Sequence, residues 1–270
     1  MSESPNALRR VLVALDASRQ SRWTLQIAAG LAARRNAELL ALFIEDMNLV
    51  HLSGFPFAME VDRMSAIERQ FDAPVMSRSL RTQLNMVRRL LDQIRRDTTL
   101  NVSVRTLRGH YLSEAIAAAT EMDILFLGRE RDTAPGGNVP FGLKRYPATE
   151  PPASKPVWVL FDDTPAAVRA VALANELAIS EHRQLLVALA GTAAGQIAEM
   201  QQRVAEALEA PHAPLQFLTV PLEETDLLLR CMRQKGCLLA VFHRAQAQQL
   251  SQTVVVRLIE EIGCPIVLAA

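Results

Sequence analysis

The chain of 270 residues is short of charge excess, of lysine, of cysteine and of long apolar runs. Acidic and basic residues balance to a formal charge of zero. A nucleic-acid binder carries a basic excess, so no nucleic-acid partner is expected. Among the cations only Lys144, Lys155 and Lys235 are lysine. Cys231, Cys237 and Cys264 are odd in number, and their spacing suits neither a disulfide framework nor a zinc site. Reduced thiols in a cytoplasmic compartment are expected. No apolar run reaches the ~18 residues of a membrane span, and MSESPNALRR lacks the apolar core of a signal peptide. The five histidines are scattered without ligand spacing, so no metal is expected. No Gly-x-Ser-x-Gly elbow and no Walker loop occur. His110 and Ser113 are close in sequence, but a helix start explains them without catalysis. A dedicated enzyme is not expected.

What is there is a repeat. At a constant offset of 146, Val11 meets Val157, Asp16 meets Asp162, Ser18 meets Thr164 and Leu31 meets Leu177, with no gap across 22 residues. Self-similarity of this kind changes the domain count. Each copy opens on a continuous apolar run, VLVAL or VWVLF, of the kind buried on both faces of a parallel sheet. Ser18 and Thr164 stand at helix N-cap positions. Trp23, Ile27, Ala28 and Leu31 recur at helical spacing, as do Val168, Val171 and Leu177. The strands ELLALFIED and QLLVALAG follow these helices, and strand–helix–strand with apolar runs implies parallel pairing through right-handed crossovers. Further on, MDILFLGR and CLLAVFHR align at offset 115, and the second copy closes with a helix over Ala247 to Glu261 and the strand CPIVLAA. From Thr133 to Pro156, six prolines rule out the corresponding helix in the first copy. The expected domains are therefore 1–150, incomplete at its end, and 151–270.

These segments resemble the universal stress protein family in its tandem two-domain form. The resemblance rests on VLVALDAS with its helix, AELLALFIED, DILFLGRE, VWVLFDDTPAAVRAVALANELA, CLLAVF and IEEIGCPIVLAA. It implies an α/β fold of two repeated parallel-sheet, Rossmann-like domains of the nucleotide-binding type. It also implies a candidate ligand, since some members bind ATP. In those members the Asp after the first strand and a residue ending the second contact the nucleoside. A Gly-x2-Gly-x9-Gly-Ser/Thr loop after the fourth strand holds the phosphates, because glycine lets backbone N–H groups approach closely.

In the first copy that loop falls on Gly128, Arg131, Phe141 and Gly142, so two positions fail and the Ser/Thr place is glycine. The candidate nucleotide residues are thus Ala14, Asp16, Ile44, Gly128, Arg129, Arg131 and Gly142, with ATP or AMP as ligand in the first copy only. In the second copy the count falls on His243, Gln246, Val256 and Arg257, and no glycine survives. Asp162 is read there as a structural residue that caps or hydrogen-bonds near the helix start. Asp162–Asp163 is not a phospho-receiver pair, because the later strands supply neither its third Asp nor its Lys.

Two stretches stay open. Ser77 to Arg96 puts Leu80, Leu84, Val87, Leu91 and Ile94 on one face, which is either a core stripe or, with its arginines, a surface for membranes or acidic partners. Met47 to Asp62 carries too many apolar groups for an exposed loop. It either packs across a domain or dimer boundary or forms a lid over a small apolar ligand. The expected function is a non-enzymatic stress-response protein acting by binding or assembly, as an intrachain pseudo-dimer and a homodimer. The alternatives are an adenine-nucleotide sensor or slow ATPase in the first copy, and a carrier of a small apolar ligand.

Overall fold

The computed structural model describes residues 8–15, 19–47, 51, 53–57, 59–61, 68–70, 73–128, 155–191, 193–208, 211–221, 224–249 and 251–270. The expected domain boundary near 150 lies outside them. In the first half, β1 (Arg10–Leu15), α1 (Arg19–Arg35) and β2 (Glu38–Asp46) are followed by the small hairpin β3 (Met59–Val61) and β4 (Glu68–Gln70). Next come α2 (Ala73–Asp97), β5 (Val102–Gly109), α3 (Tyr111–Ala118) and β6 (Ile124–Gly128). The second half runs β7 (Val157–Phe161), α4 (Pro165–Ser180), β8 (Leu185–Leu189), α5 (Ala194–Ala207) and β9 (Leu215–Thr219). It continues with α6 (Thr225–Lys235), β10 (Leu239–His243), α7 (Arg244–Gln249), α8 (Ser251–Arg257) and β11 (Ile266–Ala269).

The apolar runs behave as strands buried on both faces. Val11, Val13 and Leu15 enter one core with α1, α2, α4 and α5, while Leu12 and Ala14 enter a second core with α3, α6 and α8. Helices therefore cover both faces of one sheet, the doubly wound arrangement. The amphipathic stripe of α2 packs inward, with Leu91 buried and Leu80, Leu84, Val87 and Ile94 against it, and its arginines lie outside.

The repeat extends from sequence to backbone. Val11 pairs with Leu39 and Val157 with Leu185, so strand register keeps the offset of 146. Asn36 and His182, at the same offset, both take the left-handed conformation (φ 51° and 53°) that ends α1 and α4. Each is followed by an N–H that reaches back over the last turn, Ala37 to the Ala32 carbonyl and Arg183 to that of Ala178, both at 2.8 Å.

Among the described residues the main sheet has nine strands in the order β5-β2-β1-β6-β11-β10-β7-β8-β9. All its pairings are parallel except one: β11 runs parallel to β10 but antiparallel to β6. The two halves thus form one continuous sheet, in which the closing strand of the second half covers the outer edge of the first half's fourth strand. An uncovered edge would invite pairing with other chains. The antiparallel junction also sets the halves head to tail, so the carboxyl ends of β1 and β6 lie at the opposite end of the sheet from those of β7 and β10.

Side chains reinforce the junction. Arg244 donates to the carbonyls of Ala119 (2.8 Å) and Met122 at the end of α3, where a cation also meets the negative end of the helix. Arg34 and Arg35 pair with Glu176 at 3.2 and 2.6 Å. The closing helix expected over 247–261 is helical wherever it is described, as α7, α8 and a wider π-helical turn over 258–262 that stops at Gly263, φ 68°; residue 250 lies outside the described residues.

Candidate functional site

In each half the strand order reverses between the first and fourth strands, β1/β6 and β7/β10. Open α/β sheets bind ligands in the crevice outside the strand ends at such a reversal, because neighbouring crossovers leave on opposite faces. Those two crevices are where the sequence places Ala14, Ile44 and Gly128, and where their counterparts fall.

In the first half, the buried Tyr111 at the start of α3 puts its hydroxyl between the two strand ends. It accepts from the Gly128 N–H at 3.1 Å and lies 2.9 Å from the Ala14 carbonyl and 3.1 Å from that of Gly128. Its single proton can serve one of those carbonyls at a time. Ile44 is buried in the same core, on β2. Gly128 has a packing reason to be glycine. A Cβ there would stand 2.3 Å from Oγ1 of Thr24, a buried residue of α1. The remaining candidates, Asp16, Arg129, Arg131 and Gly142, lie outside the described residues.

The second half answers the same problem differently. Leu160 is the counterpart of Ala14 and His243 of Gly128. The Leu160 carbonyl accepts from Nε2 of Gln246 at 3.2 Å, and the His243 N–H donates to Oε1 of the same side chain at 3.2 Å. The ladder between β7 and β10 ends at Val159 and Val241. Beyond it the Gln246 amide stands in for a peptide group between the diverging strands. Gln246 is fully buried (0% exposed), so both its bonds are shielded from water.

Around this bridge the crevice is filled. Nδ1 of His243 accepts from the Gln246 N–H at 3.3 Å, which leaves the proton on Nε2, 2.8 Å from Oδ2 of Asp162. Thr164 donates its hydroxyl to Oδ1 of Asp162 at 2.7 Å and caps α4 by accepting from the Ala167 N–H at 3.1 Å. Pro165 follows as the first helical residue, where no N–H is needed. The structural reading of Asp162 and the capping by Thr164 are both seen. Asp163, at φ 65°, makes the turn between them and is tied to Arg203 at 2.6 Å.

Burial by itself would raise the Asp162 carboxyl, but the hydrogen bonds from His243 and Thr164 outweigh it and hold the group below the ordinary aspartate range. The folded state therefore binds fewer protons than the unfolded state between the two values. This stabilisation is present above the unfolded value, about 4, and is lost as pH falls through the folded one. Asp162→Asn is expected to cost about 1 kcal/mol near neutral pH, since the site is partly solvated. Urea titrations across pH 3–7 should show a flatter acid limb for the variant; parallel curves would contradict the assignment.

The arrangement offers no nucleophile. The Thr164 hydroxyl is committed as both donor and acceptor, and His243 is only 3% exposed. Among the described residues no cluster of His, Cys, Asp or Glu is placed to hold a metal ion, and no helix is long and apolar enough to cross a membrane. An apolar gap lined by Trp158, Leu228, Met232 and Phe242 is too narrow for a water molecule. In Met47 to Asp62, Phe55 and Phe57 stack at 5.4 Å between ring centres and are exposed, Phe57 by 77%.

These features define an α/β protein whose described residues form one nine-stranded, mostly parallel sheet covered by helices on both faces. No protein-family model matches the chain, and no curated protein does. Solved structures do. A universal stress protein from Archaeoglobus fulgidus DSM 4304 is similar over 96% of this chain and 95% of its own, at 12% identity and a TM-score of 0.52. A functionally unknown protein from Pseudomonas aeruginosa PAO1 is similar over 97% of this chain and 92% of its own, at 11% identity and 0.47. A universal stress protein in complex with cAMP is 22% identical over 39% of this chain and 90% of its own, with a TM-score of 0.30. At these identities the likeness is one of fold, and the chain has the universal stress protein fold along nearly its whole length.

Proposed function

We propose that the chain is a tandem universal stress protein of the cytoplasm that works by binding and assembly rather than by catalysis. The observation that carries this is the second crevice, where Gln246, His243 and Asp162 satisfy one another and the strand ends. The nucleotide-binding members that the sequence resembles open a glycine loop at that place. Here the second half is a scaffold, and β11 welds it to the first half as an intrachain pseudo-dimer. The proposed assembly surface is the exposed, stacked pair Phe55 and Phe57, with Met59 exposed on the same segment, since clustered exposed apolar side chains mark interaction sites. A homodimer through it is expected in sedimentation at micromolar concentration, and Phe55→Ser with Phe57→Ser should weaken it at least tenfold. A wild-type chain that sediments as a monomer at every concentration would refute the homodimer.

A second reading, an adenine-nucleotide sensor confined to the first half, is favoured by one observation. Position 128 is glycine where its counterpart is His243, so no side chain of the fourth strand fills that crevice. Ala14, Asp16, Ile44 and Gly128, with Arg129, Arg131 and Gly142, would hold ATP or AMP. Calorimetric titration separates the readings: silence to millimolar nucleotide supports the first, and one site lost in Asp16→Ala supports the second.

A further inference from the structure

Cys237 and Cys264, 27 residues apart, meet inside the protein. Cys237 follows Gly236 and leads into β10, and Cys264 follows Gly263 and leads into β11. Both glycines take positive φ, 74° and 68°, which turns each chain into the sheet just before the cysteine. The two sulfurs are 2.7 Å apart and both residues are buried. A disulfide bond is about 2.05 Å long, so a small approach of two neighbouring strand ends separates contact from bond. Their spacing in sequence points to no such pairing.

We propose that Cys237 and Cys264 form a reversible thiol–disulfide site, closed by hydrogen peroxide, that fastens β11 to β10. One sulfur, as thiolate, attacks a peroxide oxygen. The O–O bond breaks, water departs with a proton, and a sulfenic acid remains. The second sulfur attacks that sulfenic sulfur, the S–O bond breaks, and a second water leaves. Two thiols and one peroxide thus give one disulfide and two waters, with the sulfurs losing the two electrons the peroxide gains. Burial, and then the neighbouring sulfur, hold the Cys237 thiol well above its ordinary range, so closure is slow and follows sustained exposure. The consequence is structural. β11 is the strand that joins the two halves, so a bond at its start fixes that junction to β10. A bond at its start also removes loop entropy from the unfolded chain.

The test uses the full-length protein carrying Cys231→Ser, which removes the third, half-buried thiol. After peroxide treatment, thiols are counted in denaturant and peptides are mapped without reductant. The expected result is loss of both remaining thiols and a cross-linked peptide pair containing 237 and 264, lighter by two hydrogens. The thermal midpoint should rise by about 5 °C or more and return after dithiothreitol. Cys264→Ala in the same background should abolish the rise. If that variant does not fold, the peptide map alone decides. Thiols that remain titratable after prolonged peroxide, sulfinic acid without a cross-link, or a cross-link between two chains would each overturn the proposal.

Discussion

Gln246→Leu should destabilise the protein by about 2–6 kcal/mol, although leucine nearly conserves the volume. The glutamine amide answers two buried backbone groups, the Leu160 carbonyl and the His243 N–H. Leucine would strip both of their partner, and each such loss costs about 1–3 kcal/mol. The substitution separates this bridge from mere space filling, since a packing role would lose under about 1.5 kcal/mol to a volume-conserving apolar swap. Chemical denaturation gives the magnitude, and amide exchange gives the location: protection at the His243 N–H should fall more than at neighbouring strand positions. A variant within about 0.5 kcal/mol of wild type would show that the amide is not the strand link.

The second large effect lies in the other half. Gly128→Ala should cost about 2–3 kcal/mol, because its Cβ would meet Oγ1 of Thr24 at 2.3 Å and Cβ of Thr24 at 3.0 Å. Thr24 is buried on α1, so relief requires the helix to move off the sheet. Thr24→Ala removes the nearest atoms. The double variant should recover about 1–2 kcal/mol relative to the sum of the single changes, as contacting residues do. If glycine stood at 128 for phosphate access alone, the single variant would fold normally and Thr24→Ala would rescue nothing.

Much of the architecture was legible because it rests on local pattern. The runs VLVAL and VWVLF, buried on alternating faces, had to be central parallel strands. The offset of 146 carried the repeat into register and even into the left-handed helix ends at Asn36 and His182. Thr164 before Pro165 announced a capped helix. Other features depend on residues that only the fold brings together. Nothing near Tyr111 in sequence signals that its hydroxyl will reach Ala14, 97 positions away. Attention falls instead on His110 and Ser113, which do no such work. The loop count correctly found no glycine at 243 and 246, but pattern matching registers a missing glycine as a loss. It is blind to the use these two side chains make of the space with Asp162. The same holds for β11: CPIVLAA reads as a closing strand of its own half, and its antiparallel pairing with β6 is a tertiary choice, made where an open strand edge needs cover.

The most direct test of the central claim is calorimetric titration of nucleotide-free protein with ATP and AMP, with Asp16→Ala alongside. A second half closed by Gln246, His243 and Asp162 can take up no nucleotide, so the account predicts at most one site per chain, and none in Asp16→Ala. Two nucleotides per chain, or saturable binding that Asp16→Ala leaves intact, would contradict it.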